Sequence, residues 1–280
     1  MTVARRESFS LAMIYQGLDF SRHPLPIARV GADFATFRTS FAPDPVFFRV
    51  GGKALTMWSG TWAYSHDDVA KVSVSVRQQL RVLSTEKSVA GYQRLADVTD
   101  GGAYYWSSVN PETNPNYGQK LQAMAEAVHR DGHYWIAPLA AGFDARLVGG
   151  ANTVTRNNGD TLRKEYATAL SSSPDALGLI SWNEFSENTY VEPSTKYGNV
   201  FLRVLSQLRN TQPPVPLAAE DSSSPIGGAS SSYWPNVIRI GSFVLVLVLG
   251  LAWLQRVRYR RRKGRHVPPT ATLGRQRTGV

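Results

Sequence analysis

The sequence contains no cysteine among its 280 residues, which excludes disulfide bonds and thiolate metal sites. It also lacks a glycine-rich phosphate loop and a dinucleotide fingerprint. Its five histidines do not show the spacing that is typical of metal ligands. We therefore expect the protein to use no metal ion and no organic cofactor.

Acidic residues are missing from the C-terminal end of the chain. The formal net charge is +10, but nine of the cations fall within residues 256–280, where no Asp or Glu occurs. When these nine and Arg239 are set aside, residues 1–238 carry no net charge. A domain without an excess of basic residues is not typical of proteins that bind nucleic acid. We therefore expect no nucleic-acid partner.

The one long uncharged run lies close to the basic segment. Residues 240–255 contain no charged side chain, and the flanking residues bring the apolar stretch near the roughly 20 residues needed to cross a bilayer. The basic cluster beyond it is typical of a cytoplasmic flank. The sequence therefore predicts a transmembrane helix over residues 236–256 that contacts membrane lipid, with a cytoplasmic tail over residues 257–280. The alternative is a buried helix of a soluble protein.

Two further segments complete the predicted organisation. Residues 211–235 are rich in Pro, Ser, Ala and Gly, a composition typical of an extended stalk. Residues 1–210 would form one domain on the extracellular side of a cell membrane, held by a single-pass anchor. No clear signal peptide precedes this domain, so we expect the coding region to begin upstream of Met1.

Within residues 1–210, apolar segments of strand length alternate with segments of helical period, the pattern of parallel βαβ units. We therefore predict an α/β fold of the (β/α)8 TIM-barrel type. The sequence shows six strands, whereas a complete barrel has eight, so either about two N-terminal βα units are missing or the barrel is open. The predicted strands lie at residues 8–15, 53–60, 88–95, 102–108, 133–140 and 176–182. The predicted helices lie at residues 67–80, 116–132, 160–170 and 201–208.

An acidic motif, SWNEFSENTYVEPSTKYG, follows the last predicted strand. It carries Glu184, Glu187 and Glu192 among aromatic and amide side chains. Glycoside hydrolysis requires two carboxylates with different roles, and crowding of two carboxylates raises the pKa of one of them. From spacing alone a solvated acidic loop is the favoured reading, because glutamates three residues apart are common on protein surfaces.

The motif resembles the signature of glycoside hydrolase families 99 and 71, and of related family-99-like proteins of bacterial polysaccharide biosynthesis. The resemblance rests on WNE, an aromatic residue, one further residue and Glu, then EP and YG. A second segment, APLAAGFDAR at residues 137–146, resembles the preceding strand end and loop of the same group. Together the resemblance extends over residues 8–210 and implies the TIM-type barrel.

The resemblance also implies roles for the two central glutamates. Glu184 would act as the base on the sugar 2-hydroxyl, giving a 1,2-anhydro sugar, and Glu187 would act as the general acid/base. Phe185 stands where Trp is usual, and no small Gly follows the second Glu, so the shape of the sugar subsites differs from the family pattern. The family barrel begins about two βα units before Met1, which gives a second reason to expect missing units.

Further candidate residues lie at predicted strand ends, where TIM barrels carry their active sites. The tryptophans at these positions either stack on sugar rings or pack in the core. Asp144 and Arg146 either bind sugar together or form a buried salt bridge. Glu192 either binds substrate or fixes the conformation of the loop. We expect the catalytic pair to face each other across a pocket lined by Asp144 and Trp106. The predicted substrate-binding residues are Tyr15, Trp58, Trp106, Asp144, Asn183 and Glu192.

The sequence therefore predicts a membrane-anchored extracellular glycoside hydrolase, endo-acting on an α-linked mannan or glucan, with Glu184 and Glu187 as the catalytic residues. One alternative is a transferase or accessory protein of surface-polysaccharide biosynthesis. Another is a glycan-binding remnant without catalytic activity.

Overall fold

A computed structural model describes residues 1–210, which contain seven α-helices and nine β-strands. The strands are β1 (Met13–Gln16), β2 (Arg49–Val50), β3 (Lys53–Ser59), β4 (Leu80–Ser84), β5 (Gly101–Ala103), β6 (Tyr134–Ala140), β7 (Phe143–Asp144), β8 (Thr153–Val154) and β9 (Ala176–Ile180). The helices are α1 (Thr2–Arg6), α2 (Ile27–Thr36), α3 (His66–Val76), α4 (Val89–Gln93), α5 (Tyr117–Arg130), α6 (Asp160–Ser171) and α7 (Val200–Leu208).

Six parallel strands form the main sheet in the order β1-β3-β4-β5-β6-β9. Strand β2 adds to it as an antiparallel partner of β3, and β7 and β8 form a separate two-stranded sheet. Within residues 1–210 no strand pairing joins β1 to β9, so the sheet is a curled half-barrel. The parallel α/β architecture confirms the predicted class, whereas a closed eight-stranded barrel is not present in the described residues.

Helices α2 and α3 cover the sheet where β1, β3 and β4 lie. Helix α3 begins at Ser65, whose hydroxyl accepts a hydrogen bond from the backbone N–H of Asp68. Val69, Val72 and Val76 recur at helical spacing and are buried against α2 and the sheet. The predicted helix over residues 67–80 is thus confirmed in its position and type, although it ends at Val76.

Helix α5 covers the neighbouring part of the sheet. Leu121, Met124 and Val128 lie on its buried face and pack in one cluster with Trp135 of β6. The helix is followed by Gly132 at φ +69, a conformation that glycine adopts without steric cost. This helix, α6 and α7 confirm the three other predicted helices.

The opposite face of the sheet carries a smaller apolar cluster formed by Leu55, Leu83, Ala103 and Ile136. These residues come from four adjacent strands, which shows that the inner side of the half-barrel is packed by side chains. Gly101 allows β5 to lie close to β6, because a Cβ at this position would lie 2.0 Å from the carbonyl oxygen of Tyr134.

One predicted strand is wrong. Residues 88–95 contain helix α4, which begins at Ser88, whose hydroxyl accepts a hydrogen bond from the N–H of Gly91 at 3.1 Å. Strand β4 occupies this place in the sheet, and it is not among the strands predicted from the sequence. Four of the five residues of β4 are buried, so the segment does not show the alternation of a half-exposed strand.

The predicted stalk (residues 211–235), transmembrane helix (residues 236–256) and basic tail (residues 257–280) lie outside the described residues. Among residues 1–210, none of the helices combines the length and the apolar character that crossing a membrane requires.

Candidate functional site

The loop after β9 carries the two central glutamates. It starts at a cis peptide bond between Ile180 and Ser181. The hydroxyl of Ser181 accepts a hydrogen bond from the backbone N–H of Glu184 at 2.8 Å and shares another with the hydroxyl of Thr189 at 2.8 Å. The N–H of Thr189 donates to the carbonyl of Glu184 at 3.3 Å. These bonds close the loop at its base and fix the backbone on both sides of Glu187.

The structure brings Glu184 and Glu187 close enough to interact electrostatically. Partial burial raises the pKa of Glu187, the charge of Glu184 raises it further, and the cation of Arg22 opposes both effects. Burial also raises the pKa of Tyr105, and the negative charges of Glu187 and Glu184 add to that rise. The glutamate pair therefore lies beside Tyr105, which follows β5. Glu184 itself is exposed, in contrast to the predicted arrangement across a pocket.

Trp106 lies on the other side of the sheet from the predicted position. Its ring packs edge-on against Tyr104 and Tyr117, with centroids 5.8 and 5.6 Å apart, and its Nε1 donates to the hydroxyl of Ser108 at 3.0 Å. Successive side chains of an extended segment point to opposite sides. Tyr105, 48% exposed, is therefore the aromatic residue of this segment that faces the glutamates. Strand alternation is the signal that could have identified it.

The register of β1 and β3 pairs Tyr15 with Trp58, and both pack in one cluster with residues of α2, so they lie on the helix-covered face of the sheet. Trp58 is fully buried, with its ring 5.3 Å from Phe34 and 5.1 Å from Tyr64. The ring of Tyr15 lies 5.1 Å from Phe34, and its hydroxyl donates to Asp33 at 2.8 Å. Both residues are core contacts of α2 here, and the structure does not bring them together with the glutamate pair.

Asp144 lies next to the glutamate loop, because its backbone N–H donates to the carbonyl of Glu187 at 2.8 Å. Its carboxylate accepts two hydrogen bonds from Arg146, at 2.8 and 2.6 Å. The guanidinium of Arg146 lowers the pKa of Asp144 to about 2, chiefly through these hydrogen bonds. The sequence alone did not decide whether Asp144 and Arg146 form a sugar-binding pair or a buried salt bridge. The structure shows a salt bridge with Arg146 largely exposed.

The last two predicted substrate-binding residues, Asn183 and Glu192, lie in the glutamate loop and form hydrogen bonds through their backbone groups. Asn183 is exposed, and its carbonyl accepts a hydrogen bond from the N–H of Phe185 at 2.9 Å. The N–H of Glu192 donates to the carbonyl of Trp182 at 2.9 Å, so this residue helps to close the far end of the loop. Their substrate-binding roles stay predictions.

Arg156 belongs to the site, although it is not among the residues predicted from the sequence. It is 6% exposed, and one terminal nitrogen, Nη2, donates to the carbonyls of Asn188 at 2.8 Å and Tyr190 at 2.6 Å. Its guanidinium carbon lies over the rings of Tyr197 and Phe201, at 4.4 and 4.3 Å from their centroids. Arg156 therefore ties down the chain directly after Glu187. Its partners are distant in sequence, so no local pattern could have identified it.

We expect Arg156→Met to destabilise the protein by about 2–3 kcal/mol, because hydrogen bonds from a charged donor are worth about 1.5–3 kcal/mol and one buried and one partly buried carbonyl would lose theirs. The free energy of unfolding, measured by urea denaturation of the full chain, checks this. Arg203→Met, an exposed position on α7, is the matched control and should stay within about 0.5 kcal/mol of the wild type. Equal losses in the two variants would contradict the role given to Arg156.

A cleft of about 590 Å³ lies beside the glutamate loop. Neither Glu184 nor Glu187 lines this cleft, whereas Asn188, the next residue along the chain, does. The cleft therefore adjoins the carboxylate pair without containing it. Its polar lining residues include Asp144, Arg146, Arg156, Asn188, Lys196 and Tyr197.

In residues 1–210, no three side chains of His, Asp or Glu gather in a way that would ligate a cation. The prediction that the protein uses no metal and no organic cofactor stays a prediction.

The sequence matches no protein-family model and no curated protein. Solved structures, however, are similar in fold. A GH99 endo-alpha-mannosidase from Bacteroides thetaiotaomicron superimposes with a TM-score of 0.60 at 17% identity, covering 73% of this chain and 68% of that chain. A complex of a GH99 endo-alpha-mannosidase from the same organism with bis-tris-propane gives a TM-score of 0.60 at 15% identity, covering 74% and 72%.

A third structure, of a glycoside hydrolase-like protein, has a TM-score of 0.54 at 14% identity, covering 67% of this chain and 63% of that chain. The resemblance that the acidic motif suggested therefore reappears in three dimensions. At such low identity a structural likeness establishes the fold. In its fold, the described part of this chain is GH99-like.

Proposed function

We propose that the protein is a glycoside hydrolase that cleaves an α-linked mannan or glucan with Glu184 and Glu187 as its catalytic residues. One observation carries the proposal: two glutamates lie together at the carboxyl end of the last strand of a GH99-like sheet, and the pKa of one of them is raised. Pairs of carboxylates whose pKa values are pushed apart are characteristic of acid/base chemistry on glycosidic bonds.

The two glutamates differ in their surroundings. Glu187 is half-buried, and its raised pKa favours the protonated form that donates a proton to the leaving glycosidic oxygen. Glu184 is exposed, and the hydroxyl of Ser186 donates a hydrogen bond to its Oε1 at 2.5 Å. The motif's resemblance to family 99 assigns the same roles, with Glu184 as the base on the 2-hydroxyl.

A glycan-binding role without catalysis is the second candidate function. Trp182 and Phe185 are both about half exposed beside the glutamates, at 51% and 48%. Exposed aromatic rings bind the apolar faces of sugars whether or not a bond is cleaved. A role in surface-polysaccharide assembly has only the resemblance of the motif in its favour.

We also propose that the domain is held outside a cell membrane by residues 236–256, with residues 257–280 in the cytoplasm. This part of the proposal rests on the uncharged run and on the basic cluster that follows it in the sequence.

A panel of glycans tests the proposed activity. We expect the full chain to release reducing sugar from α-mannan or α-1,3-glucan and to leave a β-linked glucan intact. The double variant Glu184→Gln/Glu187→Gln is the control, and it should release no reducing sugar while its thermal unfolding stays close to that of the wild type. Binding of an α-linked glycan without release of reducing ends would favour the second candidate. The absence of both would overturn the proposal.

A further inference from the structure

The cleft beside the glutamate loop is distinct from the glutamate pair, because neither Glu184 nor Glu187 lines it. It is joined to the catalytic loop through two neighbours of Glu187: the N–H of Asp144 donates to the Glu187 carbonyl, and Asn188 follows it in the chain. A ligand in the cleft would therefore lie close to the glutamate loop. With a volume of about 590 Å³, the cleft has room for one or two sugar rings.

The cleft is lined by three cationic side chains, Arg146, Arg156 and Lys196, and by one carboxylate, Asp144. The charge of Asp144 is already paired with Arg146. Arg156, by contrast, donates to carbonyl groups, and in residues 1–210 its Nη1 atom has no hydrogen-bond partner although the residue is more than nine-tenths buried. Lys196 is exposed and forms no ion pair within the described part of the chain, although its charge adds to the lowering of the Asp144 pKa. The remaining charge at the cleft is therefore about +2.

The other lining groups suit a sugar. Tyr197 and Phe143 contribute aromatic surface, and Asn188 and Asn158 contribute amides. The hydroxyl of Tyr197 donates to the side-chain oxygen of Asn188 at 3.2 Å, which orients both groups at the edge of the cleft. Aromatic surface with nearby amide groups is common in carbohydrate sites, and an excess of cations over carboxylates adds a preference for negative charge.

We propose that this cleft is a subsite for an acidic sugar, in which Lys196 and Arg156 attract the carboxylate of a uronic acid unit. The inference rests on the proposed function and narrows its substrate to an α-linked glycan that carries acidic units next to the cleaved bond. Arg156 supplies positive potential from the floor of the cleft, and Lys196 is the group free to contact the carboxylate directly.

Binding of monosaccharide probes tests the subsite without reference to hydrolysis. Isothermal titration calorimetry on the full chain would compare methyl α-glucuronide with methyl α-glucoside. The two probes differ only at C6, which is a carboxylate in the first and a hydroxymethyl group in the second. We expect the glucuronide to bind at least about tenfold more tightly, with an advantage that shrinks as salt screens the charges. Equal affinities for the two probes would overturn the proposal.

Charge reversal at Lys196 identifies the residue responsible. Lys196→Glu should remove most of the preference for the glucuronide, whereas Lys71→Glu on the exposed face of α3 should leave it unchanged. Both side chains are exposed, so both variants should fold, and thermal unfolding checks this. A glucuronide preference unchanged in Lys196→Glu would overturn the assignment. Tighter binding of glucose 6-phosphate than of the glucuronide would overturn the choice of a carboxylate.

The two proposals fail in different ways. Glu187→Gln should lose hydrolysis but keep the preference for the glucuronide probe, because Glu187 does not line the cleft. If the wild type binds the glucuronide but hydrolyses no glycan, the subsite stands and the catalytic proposal falls. If the wild type hydrolyses neutral glycans and binds both probes equally, the reverse holds.

Discussion

Glu187→Gln is expected to lower kcat for hydrolysis of an α-linked glycan by about 10²- to 10⁴-fold, the usual contribution of general acid catalysis. The amide occupies nearly the same volume as the carboxyl group but has no acidic proton that it could transfer to the leaving oxygen. Because the side chain is only half-buried, the protein should fold normally. Initial rates of reducing-sugar release by the wild type and the variant provide the measurement.

The leaving group separates the roles of the two glutamates. An aryl glycoside with an acidic phenol needs little protonation as it departs, so Glu187→Gln should recover much of its activity on such a substrate. Glu184→Gln, which lacks the base, should remain inactive on both substrates. Glu126→Gln on the exposed face of α5 is the matched control and should retain full activity. Equal loss in both glutamate variants on the aryl glycoside would refute the division of roles.

The pH profile tests the same assignment. A general acid must be protonated, so activity falls as pH rises through its pKa. Burial and the charge of Glu184 raise the pKa of Glu187, and the alkaline limb of kcat/KM should therefore lie above the range of an ordinary glutamate. Arg22 lowers this pKa. Arg22→Gln should move the alkaline limb to still higher pH, and a shift to lower pH would show that another group sets it.

The fold class and the proximity of Glu184 and Glu187 could be predicted from sequence because both depend on local patterns. Alternating strand and helix segments specify parallel βαβ units, and the acidic motif is a continuous segment. Strand β4 was missed for a physical reason. A strand of a parallel sheet is buried on both faces, so its sequence does not alternate as an exposed strand does.

The same property explains why several predicted binding residues lie elsewhere. When both faces of a strand are apolar, the sequence does not reveal which side chains face the barrel interior. Trp58 and Trp106 point toward the helices, and Tyr105 points toward the glutamates. Arg156 depends on contacts with residues more than thirty positions away, and such contacts exist only after folding.

Glu165 on α6 is the other residue that only the fold makes unusual. It is fully buried, and its Oε2 accepts a hydrogen bond from the backbone N–H of Ala140 at 2.5 Å. Its Oε1 has no partner in the described part of the chain. Burial raises the pKa of Glu165 to about 8, against the opposing effect of the Ala140 hydrogen bond. The folded protein therefore holds a proton on Glu165 at neutral pH.

This proton makes stability depend on pH. In the unfolded chain Glu165 ionises near its ordinary pKa of 4.5, so between pH 4.5 and about 8 the folded state binds the extra proton. The stability associated with the neutral carboxyl is therefore fully present below pH 4.5. It declines as pH rises and is lost above about pH 8. Since each pKa unit corresponds to about 1.4 kcal/mol, the loss is on the order of a few kcal/mol.

Glu165→Gln should abolish this dependence, because the amide is neutral at every pH and its oxygen still accepts the hydrogen bond from Ala140. We expect the Tm of the variant to be close to that of the wild type at pH 4.5 and clearly higher at pH 8, when thermal unfolding of the full chains is recorded across that range. Glu126→Gln, an exposed substitution of the same type, should follow the wild type throughout. Parallel curves for the wild type and Glu165→Gln would show that Glu165 is ionised in the folded protein. The carboxylate would then have to be stabilised by more than the single hydrogen bond from Ala140.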